Sequence, residues 1–126
     1  MDSEKTFKQL LNEATTGDAV GWLMFDYELE PEEWQAARAK GLSLIQTFSD
    51  ARSMRIALNE NGGDDEKEKC EELFQQMVDL AADEEEVVEM IEIIISRKTS
   101  STRRGQLRQL VDKLQKLPYF DEPQAT

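Results

Sequence analysis

Apolar and polar positions recur along most of the chain with the helical period. Phe7, Leu10, Leu11 and Ala14 share one face of a first helix, which Ser3 is placed to cap and residues 15–17 end. Residues 18–30 hold Val20, Trp22, Leu23, Met24, Phe25 and Tyr27 with neither a clean helical period nor an alternation, and read as a short helix. Pro31 suits a first helical turn, and Trp34, Ala37, Gly41, Leu44, Ile45 and Phe48 then mark one face of a long third helix. Ser49 and Asp50 interrupt it weakly, but Ala51, Met54 and Leu58 continue the stripe to residues 59–63, the clearest helix stop in the chain.

Beyond that stop, Cys70, Leu73, Phe74, Met77, Val78 and Ala81 fall at i, i+3, i+4, i+7, i+8 and i+11, the strongest helix signal present. Asp83 with Glu86 three residues on reads as a capping box for the next helix. Between residues 87 and 95 only Glu89 and Glu92 are polar. This predicts a helix buried on most sides at the centre of the fold, with Glu85, Glu89 and Glu92 as its wet ridge. Residues 99–102 supply another cap, and Leu107, Leu110, Val111, Leu114 and Leu117 define a last amphipathic helix that Pro118 ends. Short connections make the elements neighbours. The expected fold is all-α: a compact antiparallel array of about five to six helices in one acidic domain over residues 1–120, with a flexible tail at 121–126.

The chain has 126 residues and a formal charge of −12, and the charge is unevenly spread. Residues 1–30 carry −5, residues 31–60 are neutral, residues 61–92 carry −11 and residues 93–126 carry +4. Folding a chain of this size buries roughly two-thirds of its surface, enough for one core without staples. A single cysteine, Cys70, excludes an internal disulfide and sits on an apolar stripe as a packing residue. With no histidine there is no histidine base or metal ligand, and no Ser-His-Asp or Cys-His constellation. The polar first residues and short apolar runs predict a cytoplasmic protein without a membrane segment. The negative charge disfavours direct contact with nucleic acid or anionic lipid.

Thirteen acids lie between residues 61 and 92, on two helices whose inner faces are already committed to the core, so the acids are expected to project outward. Pairs such as Glu68 with Glu72 and Glu85 with Glu89 oppose helix formation by a few tenths of a kcal/mol each. One reading is a solvated, solubilising face. The other is a docking surface, made by Asp64, Asp65, Glu68, Glu72, Asp79, Glu85, Glu89 and Glu92, for a basic surface of another protein, at the extreme one that otherwise holds nucleic acid. The basic last helix, with Arg97, Lys98, Arg103, Arg104, Arg108, Lys113 and Lys116 around its leucine face, is expected to lay its charges on these acids; the same pairing between two copies would make a homodimer.

Two further readings belong to other classes. Trp22, Phe25, Tyr27 and Trp34 cluster in the least regular segment; as core they are unremarkable, and as an exposed patch they anchor a partner in an apolar groove, as an assembly or secretion chaperone does. Glu68 with Glu71 and Glu89 with Glu92 form two E-x-x-E steps that would hold Mg²⁺ or Mn²⁺ if their helices lay side by side. In that respect the chain resembles the all-helical nucleoside-triphosphate pyrophosphatases, although Glu89 and Glu92 stand where that family's second pair is usually Glu and Asp. Residues 59–70 fail the calcium-loop spacing, since Asp64 falls at the glycine position and Cys70 at the bidentate glutamate. No glycine pattern fits a phosphate loop, and no residue pattern calls for a cofactor. The leading expectation is a non-enzymatic regulatory or inhibitory protein-binding domain, a class of chain frequent among phage and mobile-element inhibitors.

Overall fold

A computed structural model describes residues 6–97 and 100–117. They form seven α-helices: α1 (Phe7–Glu13), α2 (Gly17–Asp26), α3 (Pro31–Ser43), α4 (Phe48–Gly62), α5 (Lys67–Leu80), α6 (Glu84–Ile95) and α7 (Ser101–Gln115). A single 3-10 turn, Gly63–Glu66, joins α4 to α5. No strand occurs among the described residues. The all-α expectation holds, with one helix more than the sequence pattern implies.

The extra helix comes from the long third element, which divides at residues 44–47. Thr47 and Asp50 form a reciprocal cap: the Asp50 amide donates to the Thr47 hydroxyl at 3.2 Å and the Thr47 amide to the Asp50 carboxylate at 3.0 Å. The same carboxylate accepts from the Gln46 amide at 2.9 Å and from the Asp18 amide at the start of α2 at 3.0 Å. Burial pushes the Asp50 carboxyl up, but these hydrogen bonds outweigh it and hold the group below the ordinary carboxylate range.

Four other helices begin where a side chain accepts an otherwise orphaned amide: Thr6 for α1, Thr16 for α2, Asp83 for α6 and Ser100 for α7. Thr6 therefore caps the first helix in place of Ser3, which lies outside the described residues, as do Lys98, Pro118 and the tail at 121–126. Two lysines serve the opposite ends. Lys113 of α7 donates to the carbonyls of Val78, Asp79 and Ala81 at 2.6–2.8 Å, closing α5, and Lys40 of α3 reaches the carbonyls of Leu11 and Asn12 at the end of α1.

The stop read at residues 59–63 holds and falls at its far end. The chain stays helical to Gly62 and passes through the 3-10 turn directly into α5. Gly62 is needed for room: a Cβ there would collide with the Glu66 side chain.

The centre of the fold is α4, which packs on α2, α3, α5 and the 3-10 turn. Gly21 lets α2 approach it closely, since a Cβ at Gly21 would lie 2.8 Å from the Ser53 carbonyl carbon and oxygen. Met54, Ala57 and Leu58 share one core cluster with Val20, Met24, Cys70 and Leu73. Phe48 and Ala51 share a second with Phe74, Met77, Val87, Met90, Ile94 and Leu110. The early part of α4 thus meets the later part of α5, so the two run antiparallel. The peripheral position of α6 corrects the expectation of a central helix: it packs mainly on α7, buries Val87, Met90 and Ile94, and leaves Ile95 64 % exposed.

Candidate functional site

The acids of residues 61–92 divide into those the fold uses and those it does not. Glu66 is used most fully. It is 7 % exposed and points inward, where its two oxygens accept from Arg38 Nε at 2.8 Å and Nη2 at 2.9 Å, so the expectation that every acid projects outward fails here. Glu71 accepts from Arg103 at 2.5 Å and Glu89 from Arg52 at 2.7 Å. In both cases the arginine also lies over a phenylalanine ring, Arg103 at 4.0 Å from the Phe74 centroid and Arg52 at 5.1 Å from that of Phe48. Asp79 is exposed but accepts from Gln75 and Gln109, part of a polar seam between α5 and α7 that continues through buried Gln106 to Arg103.

Asp64, Asp65, Glu68, Glu85 and Glu92 are exposed and make no ion pair among the described residues; Glu72 is exposed and pairs only with Lys69, on its own helix. Because α6 contacts α5 lightly, these acids form two outward groups, Asp64, Asp65, Glu68 and Glu72 on the 3-10 turn and α5, and Glu85 and Glu92 on α6. Glu85, Val88, Glu89 and Glu92 line a shallow groove of about 490 Å³ on α6.

The four glutamates of the two E-x-x-E steps do not converge. Glu71 and Glu89 are each held by an arginine from a different helix, and no group of three or more potential metal ligands gathers among the described residues. The paired-carboxylate arrangement read from the sequence is corrected on that point. Cys70 is buried, and burial pushes its thiol up, away from nucleophilic thiolate chemistry.

Of the basic helix, Arg103 and Lys113 are spent inside the fold, as its amphipathic pattern predicts. Lys116 pairs with Asp112 on α7 itself, and Arg104 and Arg108 are exposed. Arg55 is desolvated, which lowers its proton affinity, and its Nε is buried without a partner.

The aromatic segment is not core. Trp22 is 52 %, Phe25 47 % and Tyr27 43 % exposed, with the Trp22 and Phe25 rings edge-to-face at 5.8 Å. Their helix has its inner face filled by Gly17, Val20, Gly21 and Met24, so these larger residues are left outside. Trp22 and Phe25 meet the exposed Ile56 of α4 around a small apolar notch. Trp34 is half-buried against the core of α2 and α4, and with Phe25 and Tyr27 it lines a cleft of about 590 Å³ at the turn between α2 and α3. Sequence pattern alone missed the cleft residues Asp26 and Glu28 and the patch residue Ile56. The available signal was the run of five acids without a base between residues 26 and 33.

Comparison with protein-family models, characterised proteins and solved structures finds no match to this chain. Among the described residues, no helix is long and apolar enough to cross a membrane.

Proposed function

We propose that the protein is a non-enzymatic, acidic docking domain that binds a basic surface of another protein and thereby regulates or blocks it. One observation carries the reading: Asp64, Asp65, Glu68, Glu85 and Glu92 stand exposed without an ion-pair partner among the described residues, although bases elsewhere in the chain neutralise Glu66, Glu71 and Glu89. Glu68 and Glu85 lie in the first turns of α5 and α6, where the helix dipole favours a carboxylate, but no base among the described residues neutralises any of the five acids, and that unbalanced negative surface favours a role in association. A surface of this sign speeds encounter with a positive groove, including one that otherwise holds phosphates.

The test is affinity capture from the native host's extract by the wild-type protein and by a Glu68→Lys/Glu72→Lys/Glu85→Lys/Glu92→Lys variant, with elution in rising salt. Glu89 is left intact because it holds Arg52. The expected result is one or a few partners with basic grooves, released at moderate salt and lost with the variant. Capture that survives both the variant and high salt overturns the proposal.

A second reading, an adaptor that seats an apolar segment, is favoured by the half-exposed Trp22, Phe25 and Tyr27. Its signature is salt-insensitive binding that Trp22→Ala abolishes.

A further inference from the structure

The fold holds an arginine twice in the same way, with a phenylalanine ring beside the guanidinium and a glutamate on its N–H groups: Arg103 with Phe74 and Glu71, Arg52 with Phe48 and Glu89. The cleft between α2 and α3 repeats these elements without the arginine. Phe25, Tyr27 and Trp34 provide rings, Asp26 and Glu28 provide carboxylates, and no lining residue is basic. Nothing nearby in sequence neutralises them, since residues 26–33 carry five acids and no base. Of the bases that follow, Arg38 is committed to Glu66 and Lys40 to the end of α1.

We infer that this cleft is a docking pocket for an arginine side chain on a basic segment of a partner protein. The inference rests on the proposed function and names the chemistry of its anchor. A guanidinium suits the lining because it stacks on an aromatic face and donates to carboxylates in its own plane at the same time. The walls are set before binding. Tyr27 ends α2 and packs at 5.7 Å from Phe7, Pro31 starts α3, and the Glu30 amide donates to Glu33 at 2.9 Å in a capping box. Little ordering is left to oppose binding. Asn61, which lines the cleft, lies near the end of α4, just before the 3-10 turn that bears Asp64 and Asp65.

The experiment titrates the isotope-labelled protein with a short peptide of alternating arginine and leucine. The control is a twin peptide carrying citrulline, which keeps the shape and removes the charge. The expected result is amide shifts centred on residues 24–34 and Asn61, with the citrulline twin about tenfold weaker or worse, the scale of one lost charge-assisted contact. Asp26→Asn/Glu28→Gln removes only exposed charge, and is expected to keep the circular dichroism spectrum while weakening the arginine peptide about tenfold. A Glu68→Gln/Glu72→Gln/Glu85→Gln/Glu92→Gln variant is expected to retain the cleft shifts.

Shifts confined to α5 and α6, with Asp26→Asn/Glu28→Gln binding normally, overturn the pocket while the acidic docking surface stands. Equal binding of the citrulline twin also overturns it. If the cleft shifts appear as expected but capture of the natural partner ignores salt, the pocket stands and the acidic-surface reading falls.

Discussion

Arg38 and Glu66 face each other across the junction of α3 with the 3-10 turn, joined by two hydrogen bonds of 2.8 and 2.9 Å. Their carboxylate comes from the most acidic stretch of the chain, yet it is buried and structural. The pair also explains the glycine at position 62, where a side chain would displace Glu66. Glu66→Ala is expected to cost about 2–4 kcal/mol, because it leaves the partly buried guanidinium unpaired. Urea unfolding of Glu66→Ala, Arg38→Ala and the double variant checks this, with a coupling of about 1 kcal/mol or more expected. Additive losses would show that the contact is incidental.

Two glycines on helices should respond oppositely to the same change. Gly21→Ala drives a methyl group into the Ser53 backbone and is expected to destabilise by about 1–3 kcal/mol. Gly105 lies within α7 with no atom within 4 Å of an added Cβ, so Gly105→Ala is expected to stabilise by about 0.5–1 kcal/mol. Thermal unfolding of both variants reads the two signs.

Asp50 ties the starts of α2 and α4 together as an ionised acceptor, and its folded pKa lies below the ordinary carboxylate value. A depressed carboxyl contributes stability above its unfolded pKa and loses it as pH falls through the folded value. Stability is therefore expected to drop on acidification below about pH 4. Asp50→Asn is expected to lose about 1–3 kcal/mol at neutral pH, because it turns an acceptor into a donor facing amides, and to flatten the acid limb. Denaturation midpoints from pH 7 downward test both parts.

Lys113 closes α5 from another helix by donating to three carbonyls. Lys113→Met keeps the stem and removes the donors, so it is expected to cost about 1–3 kcal/mol. Hydrogen exchange should report the largest loss of protection at the junction of α5 and α6.

Much of this fold is legible in periodicity. The stripe from Cys70 to Val78 is buried as read, and Asp83 and Ser100 cap where cap residues stand. What periodicity did not give has local causes. The break at residues 44–47 depends on Asp50 bonding both to its own turn and to α2, a tertiary contact that spacing does not encode. At the candidate site, charge counting found the acidic block but could not separate Glu66, Glu71 and Glu89, which meet arginines distant in sequence, from the acids left exposed. Aromatic clustering pointed to core, but Trp22 and Phe25 share α2 with Gly17 and Gly21, which take its inner face. Only packing shows that the glycines face inward and the rings face out.

Docking of the exposed acids of α5 and α6 on a basic partner is read in the association rate with the captured partner across ionic strength, for wild type and for Glu68→Lys/Glu72→Lys/Glu85→Lys/Glu92→Lys. The wild-type rate is expected to fall roughly tenfold or more from low to high salt, and the variant rate to be slow throughout. Equal rates for the two proteins with no salt dependence would contradict that docking.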